Sequence, residues 1–341
     1  MGVVKKETGV MVSVCCATYN HEKYIEKTLQ GFVNQKTDFA FEVLIHDDAS
    51  TDGTVAIIEK YREQYPEIIK PIYQKENQYS KGIKITPTFQ YPRVKGKYIA
   101  FCEGDDYWCD EYKLQKQVEV MEKNKACSIC VHTVGCMNEK GELLEGVFPN
   151  LNLEEGIIEK QKMLYYILTS GVQIFQTSSY FFRSKYLEEL LLNFPEFMEA
   201  SKVGDLPTVL FLITKGNVFY ISEKMSLYRK NSDNSWSQQI LRQPEYAIKC
   251  LDASIVSFSK YNEYTEYKYE ELISDYIINL EFSRYMQVQR YQKAQRERYR
   301  KVIKRCRLSK RISYIVKMWK TIYIYPLYAK LKGKLIMLEK S

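Results

Sequence analysis

Long apolar runs are missing from this chain of 341 residues. No stretch of about 18 uninterrupted apolar residues occurs, so no membrane-spanning helix is expected. Residues Met1 to Gly9 are polar and charged without an apolar centre, which argues against a secretory signal. Glycine (15) and proline (9) are few, and there are no repeats or low-complexity tracts, so collagen-like, solenoid and disordered classes drop out. The nine cysteines are scattered, several within strand-like runs (Cys15, Cys16, Cys102, Cys130), which reads as buried thiols in a reducing compartment and not as a disulfide framework. Cys127 and Cys130 form one CxxC, but no second pair completes a zinc site, and ACSICVH alternates like a strand. The expected location is the cytoplasm.

What is present is a globular composition with 45% hydrophobic residues and 29 tyrosines. Charge is unevenly spread. Residues 284 to 341 hold 18 Lys and Arg against only Glu297 and Glu339, which leaves the preceding part with 32 basic and 40 acidic side chains. A mildly acidic body thus carries a basic tail. Such a tail suits an anionic lipid surface, whereas no recognised nucleic-acid module accompanies the charge.

The first hundred residues alternate between strand and helix patterns. VMVSVCC (10 to 16) is apolar and β-branched, as in a central strand buried on both faces, and ends in the polar turn Ala17-Thr18-Tyr19-Asn20. Tyr24, Ile25, Leu29, Phe32 and Val33 then follow at helical spacing. Phe41 to Ile45 repeats the strand and exits through Asp47, Asp48 and Ser50 into a helix with Ser50 or Asp52 as N-cap. IIKPIY is a third strand, and YIAFC (98 to 102) a fourth, which stops at Glu103, Gly104, Asp105 and Asp106. Three carboxylates so close repel one another and are costly to desolvate, which favours a hard divalent cation such as Mg²⁺ or Mn²⁺. The plainer reading is an acidic turn before the next helix, where Asp106 or Asp110 would act as cap. Alternation of this kind predicts a mostly parallel sheet with ligands beyond its carboxyl edge, where the loops ATYN, HDDAS and EGDD would all lie.

The ordered set VSVCCATYN, FEVLIHDDASTDGT and GKYIAFCEGDDYW resembles the inverting family 2 glycosyltransferases over residues 10 to 236. The resemblance implies an α/β nucleotide-sugar-binding fold of the glycosyltransferase A type, flanked by helices, over residues 10 to 240; the helical spacing and basic charge that follow predict a helical, basic extension over 241 to 341. It further implies a nucleotide-sugar donor with a UDP moiety, a saccharide or lipid-linked acceptor, and Mn²⁺ or Mg²⁺. By position, Tyr19 would stack on the nucleobase with Ala17 and Thr18 beside it. Asp48 would accept from the base edge. Asp105 and Asp106 would contact ribose and metal, while Glu103 stands where many members carry Asp.

Further along, NEKG (138 to 141) reads as a hairpin turn, residues 142 to 162 as an acidic loop, and residues 169 to 184 as a loop and strand near the acceptor, with Gln173, Thr177 and Ser178 as candidates. Asp205 precedes Leu206-Pro207, a helix start in which it would serve as cap. Its position in GD-x-P also matches the family's general base, and one aspartate can do both. Arg229 and Lys230 could neutralise a departing diphosphate. The family's histidine after this point is replaced by Asn231-Ser232, so no histidine ligand is carried over. Trp236 would pack over the donor or anchor its segment. In the tail, Lys and Arg interleave with Ile, Trp319 and tyrosines, which suits either peripheral attachment to the inner membrane face or packing on a partner. A non-catalytic nucleotide-sugar-binding subunit and a nucleotidyltransferase are the competing functional classes.

Overall fold

A computed structural model describes residues 9–170, 174–230 and 243–287. Strand β1 (Val10–Thr18) lies between two parallel neighbours, β2 (Ala40–Asp47) and β4 (Tyr98–Phe101), and β2 pairs in turn with β3 (Ile69–Tyr73). Its interior position explains the apolar, β-branched sequence: Val12, Val14 and Cys16 point to one face and are fully buried. Strand order therefore reverses at β1. The chain runs outward through β2 and β3, then returns to the other side at β4, and this reversal opens a crevice beyond the strand ends.

The sheet continues beyond β4. Strand β9 (Phe181–Arg183) inserts antiparallel between β4 and β6 (Cys127–Met137), and β6 pairs parallel with β10 (Asn217–Arg229). The short β5 (Tyr107–Trp108) and β8 (Gly156–Ile158) pair antiparallel with β10, and β7 (Leu143–Phe148) with β6. Thus β3, β2, β1, β4, β6 and β10 share one direction and deliver their carboxyl ends to one edge. The hairpin turn expected at NEKG joins β6 to β7, with Asn138 N–H donating to the Glu142 carbonyl at 2.9 Å. The acidic loop expected over 142 to 162 is a correction: it contains β7 and β8. Strand β7 is an exposed edge whose pairing comes from β6, so it shows no buried alternation in sequence.

Helices α1 (Ile25–Val33), α2 (Thr54–Gln64) and α3 (Lys113–Lys123) cover the face that carries Val14, Val43 and Ala100. Leu29 and Phe32 of α1 are fully buried there, each worth roughly 1.5–3 kcal/mol against exposure. Helix α4 (Lys160–Ser170), short helices α5 (Leu187–Leu192) and α6 (Glu196–Ala200), and α7 (Asp205–Lys215) complete this unit. Helix α7 packs on β6, and Ser128 of that strand donates to the Leu212 carbonyl at 2.7 Å.

The chain divides into two compact units, residues 1–199 with 203–238, and 200–202 with 239–341. In the second, α8 (Pro244–Tyr264) and α9 (Glu270–Gln287) pack together through Phe258 on Tyr276, 4.5 Å between ring centres, and an ion pair of Asp252 with Arg284. Among the described residues no helix is long and apolar enough to cross a membrane. The tail beyond Gln287, including Trp319, lies outside the described residues, as do Gln173, Asn231, Ser232 and Trp236.

Candidate active site

The loops after β1 and β2 are stitched together. Asp48 N–H donates to the Thr18 carbonyl at 3.0 Å, Asn20 N–H to Ser50 Oγ at 2.8 Å, and Thr51 N–H to Asn20 Oδ1 at 2.8 Å. Asn20 and Ala49 both take left-handed backbone (φ 54° and 65°), which lets the two loops turn sharply beside each other. Asp52 Oδ1 accepts from Thr54 N–H at 3.0 Å beside the start of α2, but the N-cap position belongs to Gly53 and not to Ser50 or Asp52 as expected. Asp47 is a buried turn former whose carboxylate accepts both Ser50 N–H and Ser50 Oγ–H. Tyr19 stands 43% exposed at the crevice, with Thr18 buried behind it.

Asp48 is 4% exposed, and both of its carboxylate oxygens are engaged. Oδ1 accepts Gln78 N–H at 2.8 Å and Oδ2 accepts Tyr79 N–H at 3.0 Å. In this arrangement it anchors the segment after β3, an anchoring role that the sequence reading did not include.

The acidic stretch after β4 sits directly across from β1. Gly104 N–H donates to the Ala17 carbonyl at 2.9 Å, and a Cβ on Gly104 would stand 2.6 Å from Thr18 Oγ1. Only glycine allows that approach. From α1, Thr28 Oγ1 reaches the carbonyls of Asp106 (2.5 Å) and Gly104 (3.0 Å). Asp106 is turned inward, 2% exposed, and its Oδ1 accepts Arg229 N–H at 2.9 Å. Arg229 is likewise 4% exposed: Nε donates to the Asp105 carbonyl at 2.9 Å, Nη1 to the carbonyls of Asn138 and Glu139 at 3.0 Å each, and the guanidinium lies 4.3 Å over the Tyr24 ring. The expected diphosphate-neutralising cation is therefore buried and bonded to backbone, where it holds the acidic loop against the β6–β7 turn.

Asp105 is half-buried and Glu103 exposed at the crevice. Although the Glu103 side chain opens onto the crevice, the protein packed around its carboxyl and then the charges of Asp105 and Asp205 push that carboxyl up to about 8. Asp106 is pushed well above the ordinary carboxylate range by burial and by Asp105 and Glu103, against the opposing pull of Arg229. Asp205, about a hundred residues later in sequence, is near enough for its charge to act on Glu103. It begins α7, its Oδ1 accepts Leu206 N–H at 2.8 Å, and burial raises its own pKa. The N-cap position of α7 is held by Gly204 and not, as expected, by Asp205, which stands one residue later as the first helical residue. Thr177 and Ser178 lie in the turn before β9, and Ser178 Oγ is paired with Ser226 Oγ at 2.9 Å in the core.

The family model described as "Glycosyl transferase family 2" matches residues 13–191, more than half the chain, and takes in the β1, β2 and β4 loops. The chain belongs to glycosyl transferase family 2. An uncharacterized protein of Mycobacterium tuberculosis is 30% identical over 230 residues, 66% of this chain and 60% of the relative. The chain thus spans about 60% of the length of that curated relative. The Escherichia coli protein WfaP, a UDP-Glc:alpha-D-GlcNAc-diphosphoundecaprenol beta-1,3-glucosyltransferase, is 36% identical over 115 residues, covering 34% of this chain and 43% of WfaP. Among solved structures, Staphylococcus aureus TarS (residues 1–349) in complex with UDP-GlcNAc superposes with a TM-score of 0.55 at 17% identity, over 92% of this chain and 82% of that one. The fold of this family member is accordingly the glycosyltransferase A-type α/β fold.

For a divalent cation, the carboxylate oxygens at this edge are of the right hardness. Among the described residues, however, no three His, Cys, Asp or Glu converge as a cage, and Asp106 is committed to Arg229. That donor set fits an ion held by one or two carboxylates together with substrate phosphates, the habit of Mg²⁺ and Mn²⁺ in phosphate sites. The CxxC cysteines and His132 lie along β6, buried as a strand.

Proposed function

We propose that this family 2 member is an inverting glycosyltransferase that moves a hexosyl or N-acetylhexosaminyl group from a UDP-sugar to a hydroxyl of a saccharide or lipid-linked acceptor in cell-surface polysaccharide synthesis. The observation that carries it is the meeting, at one sheet edge, of Tyr19, the acidic stretch 103–106 and Asp205, whose charge is felt at Glu103. The printed activity of WfaP, with a UDP-sugar donor and a diphospholipid-linked acceptor, supports the donor and acceptor classes, and the UDP-GlcNAc bound by TarS supports the donor.

Asp205 takes the acceptor's hydroxyl proton as that oxygen bonds to the anomeric carbon. The bond from this carbon to the diphosphate oxygen breaks with its electron pair, and UDP leaves. One displacement without a covalent enzyme intermediate inverts the anomeric centre. The raised pKa of Asp205 makes it a stronger base than an ordinary carboxylate. Tyr19 offers a face for the base, with Ala17 and the buried Thr18 behind it. Asp105, with Glu103 beside it, would hold Mn²⁺ or Mg²⁺, which would neutralise charge on the departing diphosphate. Arg229 serves by fixing Asp105 and Asp106 in place.

The test has two arms. UDP-glucose and UDP-N-acetylglucosamine, each with Mn²⁺, are screened for thermal stabilisation, and UDP release is then compared between wild type and Asp205→Asn. The expected result is stabilisation by one donor and near-complete loss of turnover in the variant. A variant that turns over like wild type removes Asp205 from the chemistry. Attachment of the basic tail to anionic membrane belongs to the same proposal. Equal co-sedimentation with phosphatidylglycerol vesicles by the full chain and a truncation after Tyr269 would remove it.

A further inference from the structure

Helix α1 meets the acidic stretch repeatedly along one face. Tyr24, at the start of the helix, carries the Arg229 guanidinium 4.3 Å from its ring centre. Thr28 stands one turn later on the same face and is fully buried. Gly31 follows, where an added Cβ would lie 2.9 Å from the Trp108 carbonyl oxygen. Just past the helix, Gln35 donates from Nε2 to the Asp110 carbonyl at 2.8 Å and accepts Leu114 N–H at 3.0 Å. The course of the chain from Gly104 to Asp110 is thus laid along α1.

Thr28 acts on the part of this stretch that carries Asp105. A helical threonine commonly returns its hydroxyl to the carbonyl four residues back. Here that carbonyl, of Tyr24, is 3.5 Å away, and the hydroxyl is turned to the loop instead. It has one proton, shared between the carbonyls of Asp106 at 2.5 Å and Gly104 at 3.0 Å. These two carbonyls flank Asp105. The carbonyl between them, that of Asp105 itself, accepts Arg229 Nε–H at 2.9 Å. Two buried side chains, one from α1 and one from β10, therefore hold three successive peptide oxygens. The N–H groups of Gly104 and Asp106 are engaged as well, by the carbonyls of Ala17 at 2.9 Å and Glu103 at 3.1 Å. With the peptides on both sides of Asp105 fixed, the rotamers open to its carboxylate are restricted too.

We infer that Thr28 is a positioning residue for Asp105: its hydroxyl sets the backbone from which that carboxylate is presented to a divalent cation. The inference rests on the reading of Asp105 as a metal-holding carboxylate. Arg229 grips the Asp105 carbonyl, and Thr28 supplies the grip on the carbonyls before and after it.

The experiment measures UDP binding by calorimetry in Mn²⁺ and in EDTA. The ratio of the two dissociation constants is the coupling between ion and nucleotide. Thr28→Val and Thr28→Ala remove the hydroxyl with and without the branched shape, and Thr28→Ser keeps it. Each of the first two should lose about tenfold of the ratio, the size of effect seen when a partner supporting a metal ligand is removed. Their UDP affinity in EDTA should stay within about twofold, because Tyr19 and Asp48 belong to the β1 and β2 loops. Thr28→Ser should keep the wild-type ratio. Gln35→Met cuts the bonds at Asp110 and Leu114, and should melt lower while keeping the ratio. A wild-type ratio in Thr28→Val or Thr28→Ala, beside a lost ratio in Asp105→Asn, overturns the positioning role and leaves the metal reading in place. Equal losses in Gln35→Met and Thr28→Val overturn it as well, because loosening of the whole stretch would then suffice. Asp105→Asn with the wild-type ratio, or a wild-type chain that binds UDP no tighter in Mn²⁺, instead overturns the metal reading, and the positioning role falls with it.

Discussion

Arg229 binds Asp106 and Asp105 at once, giving its backbone N–H to Asp106 Oδ1 and its Nε–H to the Asp105 carbonyl, both at 2.9 Å. The last residue of β10 thereby sets the shape of the acidic loop that follows β4. Replacing Arg229 by Lys removes the forked donors that reach the carbonyls of Asp105, Asn138 and Glu139 and so loosens the acidic loop from the β6–β7 turn. Arg229→Lys should melt lower by urea titration and weaken UDP binding. Calorimetric affinity equal to wild type would contradict the loop-holding role.

Gly104 tests the closeness of β1 and β4. A methyl there would press on Thr18 Oγ1, Thr18 Cβ and His21 Nδ1, all within 2.9 Å, and the loops must part to admit it. Gly104→Ala should destabilise by about 1–3 kcal/mol, as overpacking does, and lower donor affinity. Thermal melts with and without UDP measure both effects.

Glu103 supplies a pH signature. Its carboxyl is pushed up to about 8 in the fold from an ordinary value of 4.5, so the folded chain should bind the extra proton between those limits. Stability from this group is present below about pH 4.5 and is lost as pH rises through 8. Glu103→Gln removes that decline, so its melting temperature relative to wild type should climb from pH 5 to pH 8.5. A constant difference across the range would mean that Glu103 does not titrate there.

Lys113 gives the opposite slope. It is fully buried, bonded to Gln117 Oε1 at 2.7 Å with its ammonium 4.1 Å over the Trp108 ring, and burial lowers its pKa to about 7. The unfolded chain then holds more protons between about pH 7 and 10.5, so wild-type stability gains with rising pH from this group. Lys113→Met lacks that gain. Its stability relative to wild type should be highest below pH 7 and fall towards pH 9.5, as read by urea unfolding at each pH.

The strand–loop–helix units over residues 10 to 64 were legible because an interior parallel strand must be apolar throughout and a surface helix must alternate at its own period. The acidic stretch after Phe101 was legible as a chemical anomaly, three carboxylates closing a buried strand. Less legible were β7 and β8, whose pairing is supplied by neighbours distant in sequence. The roles of Asp48 and Arg229 were legible only as charge. Which atoms they bond depends on segments some 30 and 120 residues away, and no local pattern records that.

By itself, then, the sequence determined the family, the alternating α/β architecture and the set of carboxylates available for chemistry, since apolar periodicity and side-chain type are local properties. Tertiary structure alone decided which of those carboxylates face the crevice and which turn inward. Asp106 and Asp48 are drawn to backbone N–H groups, Glu103 and Asp105 are left at the edge, and Asp205 is brought beside them on α7. The physical reason is that a buried charge needs hydrogen-bond partners, and those partners become neighbours only once the sheet is assembled.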